Sequence, residues 1–507
     1  MKGNDEAWDV IVVGSGAAGL AAAVTAASNN CRVLVLEKDS KLGGTTAYAI
    51  GSVTAAGTRL QAEAGIRDTG DDFFSDLMTA LSESGLRERN NDELTRLLVR
   101  EAGPAVDWMA GLGAWFVGPF GEPPHRIPRM HNIVPNSKSY ISALSQASLK
   151  RGAVIRTGVP VIELTPSGGR VTGVKARWTG GVRTIEAKRA VILASGDYSS
   201  SRSLKARFMS DRLAQVDGIN PMSTGDGQLM GMAVHADLCN MDVSIGPSLR
   251  FISPTRPLWI ESLPTFPMIA RLMGRVAKHV PKGFFRLIAK RFLIVHTSPS
   301  SDVFRKGAIL VNKRGRRFAN ELLPTRQLAM EVAEQPEKVA YIFMDARLAQ
   351  LFSTPPNFLS TAPGIAYASF EDYRVLRKDI TIKGRSLSQL AGRVGVDPAI
   401  LEETIKGYNL CVRDGKEDEW GRRDLGPGFS SYPFYLLGPL MGFFSSVEGG
   451  LRVDLECAVL TSDGKRIPGL YAAGSTGQSG LVLPGHGLHI AWALVSGRIA
   501  GRSASRE

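Results

Sequence analysis

Apolar positions near the start of the chain fall into short runs separated by small residues. Asp9-Val10-Ile11-Val12-Val13 is apolar over most of its length and rich in β-branched side chains, the pattern of a strand buried on both faces of a parallel sheet. Gly14-Ser15-Gly16-Ala17-Ala18-Gly19 follows, then Ala21, Ala22, Ala23, Ala26 and Ala27 continue as an alanine-rich helix. Arg32-Val33-Leu34-Val35-Leu36 reads as the second strand. Residues 72–115 read as amphipathic helix, with Leu94, Leu97, Leu98, Val106 and Trp108 on the core side, and Ser139–Lys150 as a further helix. Short strands are expected at 153–155, 159–162, 170–176 and 184–187. Residues 119–135, rich in Pro, His and Arg, read as a long loop of the kind that often carries function, with His125 and His131 as loop residues rather than catalysts.

The first turn carries chemistry. Gly14 permits the tight bend after the strand, Gly16 lets backbone approach a pyrophosphate, and Gly19 lets the helix lie close to the strand. The helix N-terminus at Ala17 and Ala18 then faces phosphate, and Glu37 ends the second strand where a ribose-binding carboxylate is expected. Strand, turn, helix, strand and acid in that order define a dinucleotide site. Beyond Glu37 and Lys38, Gly43-Gly44-Thr45-Thr46 supplies backbone donors and hydroxyls beside it.

Composition narrows the class. A chain of 507 residues with 55 glycines and ordinary apolar content reads as globular α/β with two or three domains. Four cysteines (Cys31, Cys239, Cys411, Cys457) lie far apart without CxxC or histidine spacing, which reads as reduced thiols in the cytosol and no metal site. Met1–Trp8 is polar and acidic rather than a signal peptide, and no 18-residue uncharged apolar run is present. The net charge of +13 comes with no nucleic-acid-binding motif; it fits anionic substrates, an anionic lipid surface or an inert basic surface.

The GSGAAG turn, the Glu37-Lys38 pair and Gly43–Ala47 resemble the flavoprotein family of fumarate reductases, succinate dehydrogenase flavoprotein subunits and 3-ketosteroid dehydrogenases. Val191–Asp197, ending in Ser195-Gly196, resembles a further strand of that family. Thr224-Gly225-Asp226-Gly227, Gly315–Glu321 and Gly469–Gly474 resemble its TGDG, G-[KR]-RF-x-NE and GLYAAG segments, in the family's order. The resemblance covers the whole chain. It implies a glutathione-reductase-like, Rossmann-type FAD-binding domain with an inserted α+β cap, divided as residues 1–236, 237–430 and 431–507. It also implies FAD held by Ser15, Thr45, Thr46, Ser195, Gly196, Asp226 and Gly474, with backbone near Val161 at the adenine end. No histidine follows Gly43–Thr46 where succinate dehydrogenases attach FAD, so the cofactor is expected to be noncovalent.

The resemblance also directs the catalytic reading. Arg326 lies one residue beyond the place of the arginine that fumarate reductases use as proton donor. Pro484-Gly485-His486-Gly487 resembles the turn whose second glycine binds a ketone in ketosteroid dehydrogenases, here Gly487. His486 and His489 flank that turn, and a helix from Leu488 would aim its N-terminus at the flavin. The tyrosines of the ketosteroid enzymes are Thr325 and Leu483 here; the NRLGG segment of fumarate reductases is absent, and Ser445–Gly450 replaces their H-T-M-G-G. The expected activity is hydride exchange between flavin and a carbon–carbon bond next to a carbonyl, on an apolar, ketosteroid-like or cyclic small molecule, with an unidentified electron partner. The alternatives are a reductase of an unsaturated carboxylate and a membrane-docked flavoprotein electron carrier. Residues 256–295 bear on the last: Met268, Ile269, Leu272, Met273 and Val276 share one helical face and Arg271, Arg275 and Lys278 another, which fits a peripheral membrane contact, a surface helix pair or a lid.

Overall fold

The computed structural model describes residues 7–123, 125–254, 298–362 and 366–507, with Leu263, Thr265 and Ile294; the rest of the basic amphipathic stretch 256–295 lies outside the described residues. Strand β1 (Trp8–Val13) is followed by helix α1 (Ala17–Ser28) and strand β2 (Val33–Leu36). Val10, Ile11 and Val12 have no exposed surface, as the uninterrupted apolar run requires of a strand covered on both faces. β1 lies parallel to β2 on one side and to the strand Gly181–Leu193 on the other, with Val12 opposite both Val35 and Ile192. Val154–Arg156 extends the sheet beyond β2. On the far side, Arg466–Ala472 pairs parallel with 181–193, bringing the end of the chain back to its beginning. This is the expected Rossmann-type layer.

A second, mostly antiparallel sheet is built around the strand Phe434–Phe444, which pairs with Asp217–Gly218, Ser248–Phe251, Ala340–Met344 and Thr381–Gly384. Beside it, the Gly315–Glu321 segment forms a buried charge cluster. Arg317 donates to Glu321 at 2.9 and 2.8 Å and sits 2.7 Å from Asp418, while Arg422 reaches Glu321 at 2.7 Å. These groups are nearly sealed from solvent, so removing one partner strands a buried charge, at a cost of about 3–5 kcal/mol.

Local expectations were refined by long-range pairing. The helical region 72–115 is two helices, Gly70–Glu83 and Asp92–Gly111, each with its own side-chain cap from Thr69 and Asn91. The loop expected over 119–135 is strand at its two ends: Trp115–Phe120 pairs with Met130–Val134, which also pairs with Ser52–Thr54. His131 is therefore a buried strand residue hydrogen-bonded to Thr58 at 2.9 Å. The strand expected at 184–187 and the start of the family-like segment from Val191 are one continuous strand, Gly181–Leu193.

Candidate active site

A cavity of about 660 Å³ opens at the carboxyl ends of β1 and β2 and runs toward the second sheet. Gly14, Ser15, Gly16, Ala17, Ala18, Glu37, Lys38, Gly44, Thr45, Thr46, Val161, Ser195, Gly196, Asp226 and Gly474 all line it. The glycines of the first turn divide by what surrounds them. A Cβ on Gly14 would fall 2.4 Å from the Ala194 carbonyl oxygen, and one on Gly19 would fall 2.0 Å from that of Gly14. A Cβ on Gly16 would meet no protein atom nearer than 3.8 Å. Gly14 and Gly19 are thus held by the protein's own packing, whereas nothing in the protein demands glycine at position 16. That open cradle at the N-terminus of α1 fits a pyrophosphate lying against the backbone.

Around the cradle the hydroxyls and carboxylates are already ordered. Glu37 accepts from the Ser15 amide at 2.8 Å and its hydroxyl at 2.7 Å, and from the Asp39 amide at 2.8 Å. A carboxylate has about four acceptor sites, so one remains for a ribose hydroxyl. Thr46 Oγ1 accepts from the Ala17 amide at 3.2 Å; Thr45 Oγ1 meets Ser223 at 3.0 Å and Asn220 at 3.1 Å. Lys38 pairs with Asp226 at 2.8 Å, joining the first loop to the Thr224–Gly227 turn. Ser195 Oγ accepts from the Gly227 amide at 3.0 Å, and the Gly196 carbonyl accepts from Thr476 at 2.9 Å. Gly19, Gly43 and Leu488 stand behind this lining: Gly43 donates to Ser15 Oγ at 3.2 Å, and Leu488 is fully buried.

The remaining candidates line the same cavity. Arg326, on the helix Thr325–Ala333, lines the cavity and donates from Nη1 to the Ser244 carbonyl at 2.9 Å. Burial lowers its pKa. Gly487 caps the C-terminal helix Leu488–Ala504 in the left-handed conformation (φ 76°), with Thr54 and Val53 so close that a Cβ would fall 2.8 Å from their backbone. His486 is about half exposed, and its Nδ1 is hydrogen-bonded to the buried carboxylate of Glu122. His489 Nε2 stands 3.2 Å from both Ser446 Oγ and the fully buried Glu448.

Glu122, Glu448 and Arg250, which also lines the cavity, were not anticipated from the sequence. Glu122 lies 364 residues from the histidine it holds, and no local motif announces such a pair.

His489 gives a pH-dependent expectation. Burial disfavours its charged form, but the Glu448 charge and hydrogen bond, with Asp197, outweigh burial and raise its pKa above the ordinary 6.5. A raised folded-state pKa contributes stability that is complete below the unfolded value and is lost as pH rises through the folded value. His125 and His131 run the other way, because burial lowers both; they favour the folded chain above 6.5 and lose that contribution as pH falls. The difference in melting temperature between wild type and His489→Gln should therefore be largest below pH 6.5 and shrink as pH rises. A difference that grows with pH would refute the Glu448 pairing.

A parallel sheet with an open glycine cradle at the carboxyl ends of its strands fits a dinucleotide-binding protein. Residues 9–247 and 292–483 match the family described as FAD binding domain, and the chain belongs to it. Over 513 residues it is 27% identical to the probable fumarate reductase Ifc3 of Shewanella frigidimarina (strain NCIMB 400), spanning 100% of this chain and 76% of that protein. It is 26% identical over 594 residues to a 4-oxocyclohexanecarboxylate 2-dehydrogenase of Sinomonas cyclohexanicum, spanning 99% of this chain and 93% of that one. The solved open conformation of a flavocytochrome c3 fumarate reductase shares the fold at a TM-score of 0.73, with 24% identity, over 99% of this chain and 78% of that one. The family resemblance carried by the sequence motifs is thereby borne out. Among the described residues no helix is long and apolar enough to cross a membrane, and no cluster of His, Cys, Asp and Glu forms a metal site.

Proposed function

We propose that this FAD-dependent oxidoreductase exchanges hydride between the flavin and a carbon–carbon bond next to a carbonyl in a cyclic, largely apolar small molecule. One observation carries the reading: Arg326 and the adjacent pair His486-Gly487, from two distant segments, line the same cavity as the dinucleotide cradle. FAD, when bound, supplies the two-electron chemistry. The chain's residues then have three tasks. Gly487 and the helix N-terminus behind it offer backbone N–H groups and a positive dipole end to developing negative charge. Arg326 holds a carbonyl or relays a proton at the substrate. Glu122 fixes the His486 ring through Nδ1, leaving Nε2 as a second acid–base candidate.

The cofactor residues of this reading are the cavity-lining set described above, with Gly19, Gly43 and Leu488 supporting it from behind. The FAD is proposed to be noncovalent and should leave the chain on acid precipitation; flavin retained by the washed, denatured protein would refute that. The division into residues 1–236, 237–430 and 431–507, with the middle part as cap, belongs to the same proposal. The Shewanella relative's name gives a second reading, reduction of an unsaturated carboxylate, with Arg326 as donor. Anaerobic mixing with cyclic ketones, ketosteroids and saturated acids, followed by reoxidation with their unsaturated counterparts, separates the two. Bleaching of the flavin by cyclic ketones supports the first reading, and rapid reoxidation by fumarate alone favours the second.

A further inference from the structure

Two buried atoms beside the cavity complement each other. Glu122 lines the cavity yet is only 4% exposed. Its Oε1 meets His486 Nδ1, while its Oε2 is sealed from solvent with no hydrogen-bond partner among the described residues. His125 is also buried, and its Nε2 is likewise sealed and without a described partner. The two residues share one turn, in which the His125 amide donates to the Glu122 carbonyl at 2.9 Å. A Cβ on Gly485 would fall 3.7 Å from His125 Nε2, so that nitrogen faces the residue next to His486.

The neighbours decide which of the two atoms donates. Arg129 is fully buried and donates to Asp68 through Nε and Nη2, each at 2.7 Å, and to Asp76 through Nη1. Nη1 has a second hydrogen, and it stands 3.5 Å from His125 Nδ1. A guanidinium only donates, so His125 Nδ1 is the bare nitrogen and the ring hydrogen is on Nε2. Burial, then the Arg129 charge, lowers the His125 pKa against the opposing pull of Glu122, Asp76 and Asp68, which leaves the ring neutral at pH 7. A proton on Glu122 Oε2 would need a bare nitrogen to receive it, and Arg129 excludes that at His125. Oε2 is therefore the acceptor and His125 Nε2–H the donor. Each is a buried group lacking what the other supplies, and leaving both unmade is costly.

We propose that His125 is a positioning residue for His486: its Nε2–H closes onto Glu122 Oε2, so that a chain from Asp76 through Arg129, His125 and Glu122 fixes the His486 ring with its hydrogen on Nδ1 and Nε2 bare for proton exchange. This rests on the functional reading above and deepens it, since His486 is an acid–base group of that reading. His125 itself does not line the cavity among the described residues; it acts through Glu122. Hydrogen bonds of this kind tighten as an active site fills. Without the donor, a carboxylate with one starved oxygen turns outward to be hydrated and releases the ring it holds.

Nitrogen-15 NMR of histidine-labelled, FAD-loaded protein reads the tautomers without turnover, and loss of one signal in His486→Gln identifies that ring among the seven histidines. In its neutral form His486 should carry its hydrogen on Nδ1, against the preference of a free imidazole ring for Nε2, and His125 should carry its own on Nε2. His125→Phe keeps an aromatic ring beside Phe73 but removes the donor. The ratio of Nδ1–H to Nε2–H forms at His486 should then fall about 2- to 10-fold, the worth of one hydrogen bond, with FAD content unchanged. A ring that merely fills space would leave the His486 tautomers of a folded His125→Phe as they are in the wild type, and that result would overturn the assignment. Finding the wild-type His125 hydrogen on Nδ1, or the wild-type His486 hydrogen on Nε2, would overturn it as well, and neither result needs a variant to fold. A flavin-loaded chain with both expected tautomers that acts on no cyclic ketone would defeat the functional reading alone; the opposite tautomers in an active enzyme would defeat this one alone.

Discussion

Arg326→Ala is expected to keep its fold and its FAD while turnover falls by roughly 10²–10⁴-fold, the loss typical of a positioned acid–base group. The side chain makes one described hydrogen bond, to the Ser244 carbonyl, and no described carboxylate pairs with it, so removing it disturbs little of the core. It lines the same cavity as the glycine-rich turn. Arg326→Lys should recover little, because an ammonium presents no planar pair of donors. Steady-state turnover and the flavin-to-protein ratio, measured on the same preparations, decide the matter. Full activity in Arg326→Ala would pass the proton role to His486, and Glu122→Gln should then shift the pH profile of turnover by weakening the hydrogen bond that holds that ring.

The second large effect is expected at the first turn. Gly16→Val should yield a folded but largely flavin-free protein. A Cβ at position 16 meets no protein atom within 3.8 Å, so the fold has room for it and the bound pyrophosphate does not. Gly19→Val should instead fail at the level of the fold, since its Cβ would lie 2.0 Å from the Gly14 carbonyl oxygen. Flavin absorbance together with circular dichroism separates the two outcomes. Normal FAD content in Gly16→Val would move the cofactor away from this turn.

These two sites also mark what the sequence makes readable. The turn at 14–19 is a local device: its glycines, the helix after it and Glu37 sit within one strand–helix–strand unit, so spacing alone reveals their joint purpose. The Gly469–Gly474 segment is readable for the same reason, because a short motif ends the strand that returns to the first sheet. Arg250 and Glu122 carry no such mark. Arg250 becomes conspicuous only when the strand 248–251 pairs with 434–444 and leaves its side chain at the cavity without a counter-charge. Glu122 matters only because a hairpin brings it to a histidine near the other end of the chain. His131 looked like a loop residue because its strand is defined by partners at 52–54 and 115–117, not by its own alternation of apolar and polar residues. Local pattern thus reaches the glycine-rich turn, and long-range pairing brings Glu122, Arg250 and His486 to the same cavity.

The central claim is that a substrate carbon and the flavin exchange hydride directly in this cavity. Stopped-flow anaerobic mixing of the FAD-loaded protein with a cyclic ketone that bleaches it, unlabelled and deuterated at the ring carbons next to the carbonyl and at the adjoining carbons, tests it most directly. The account predicts bleaching of the flavin with a primary isotope effect on that phase and formation of the ring-unsaturated ketone in one-to-one ratio with reduced flavin. Bleaching without product, or no bleaching by any cyclic ketone or ketosteroid while the protein remains fully loaded with FAD, would contradict it.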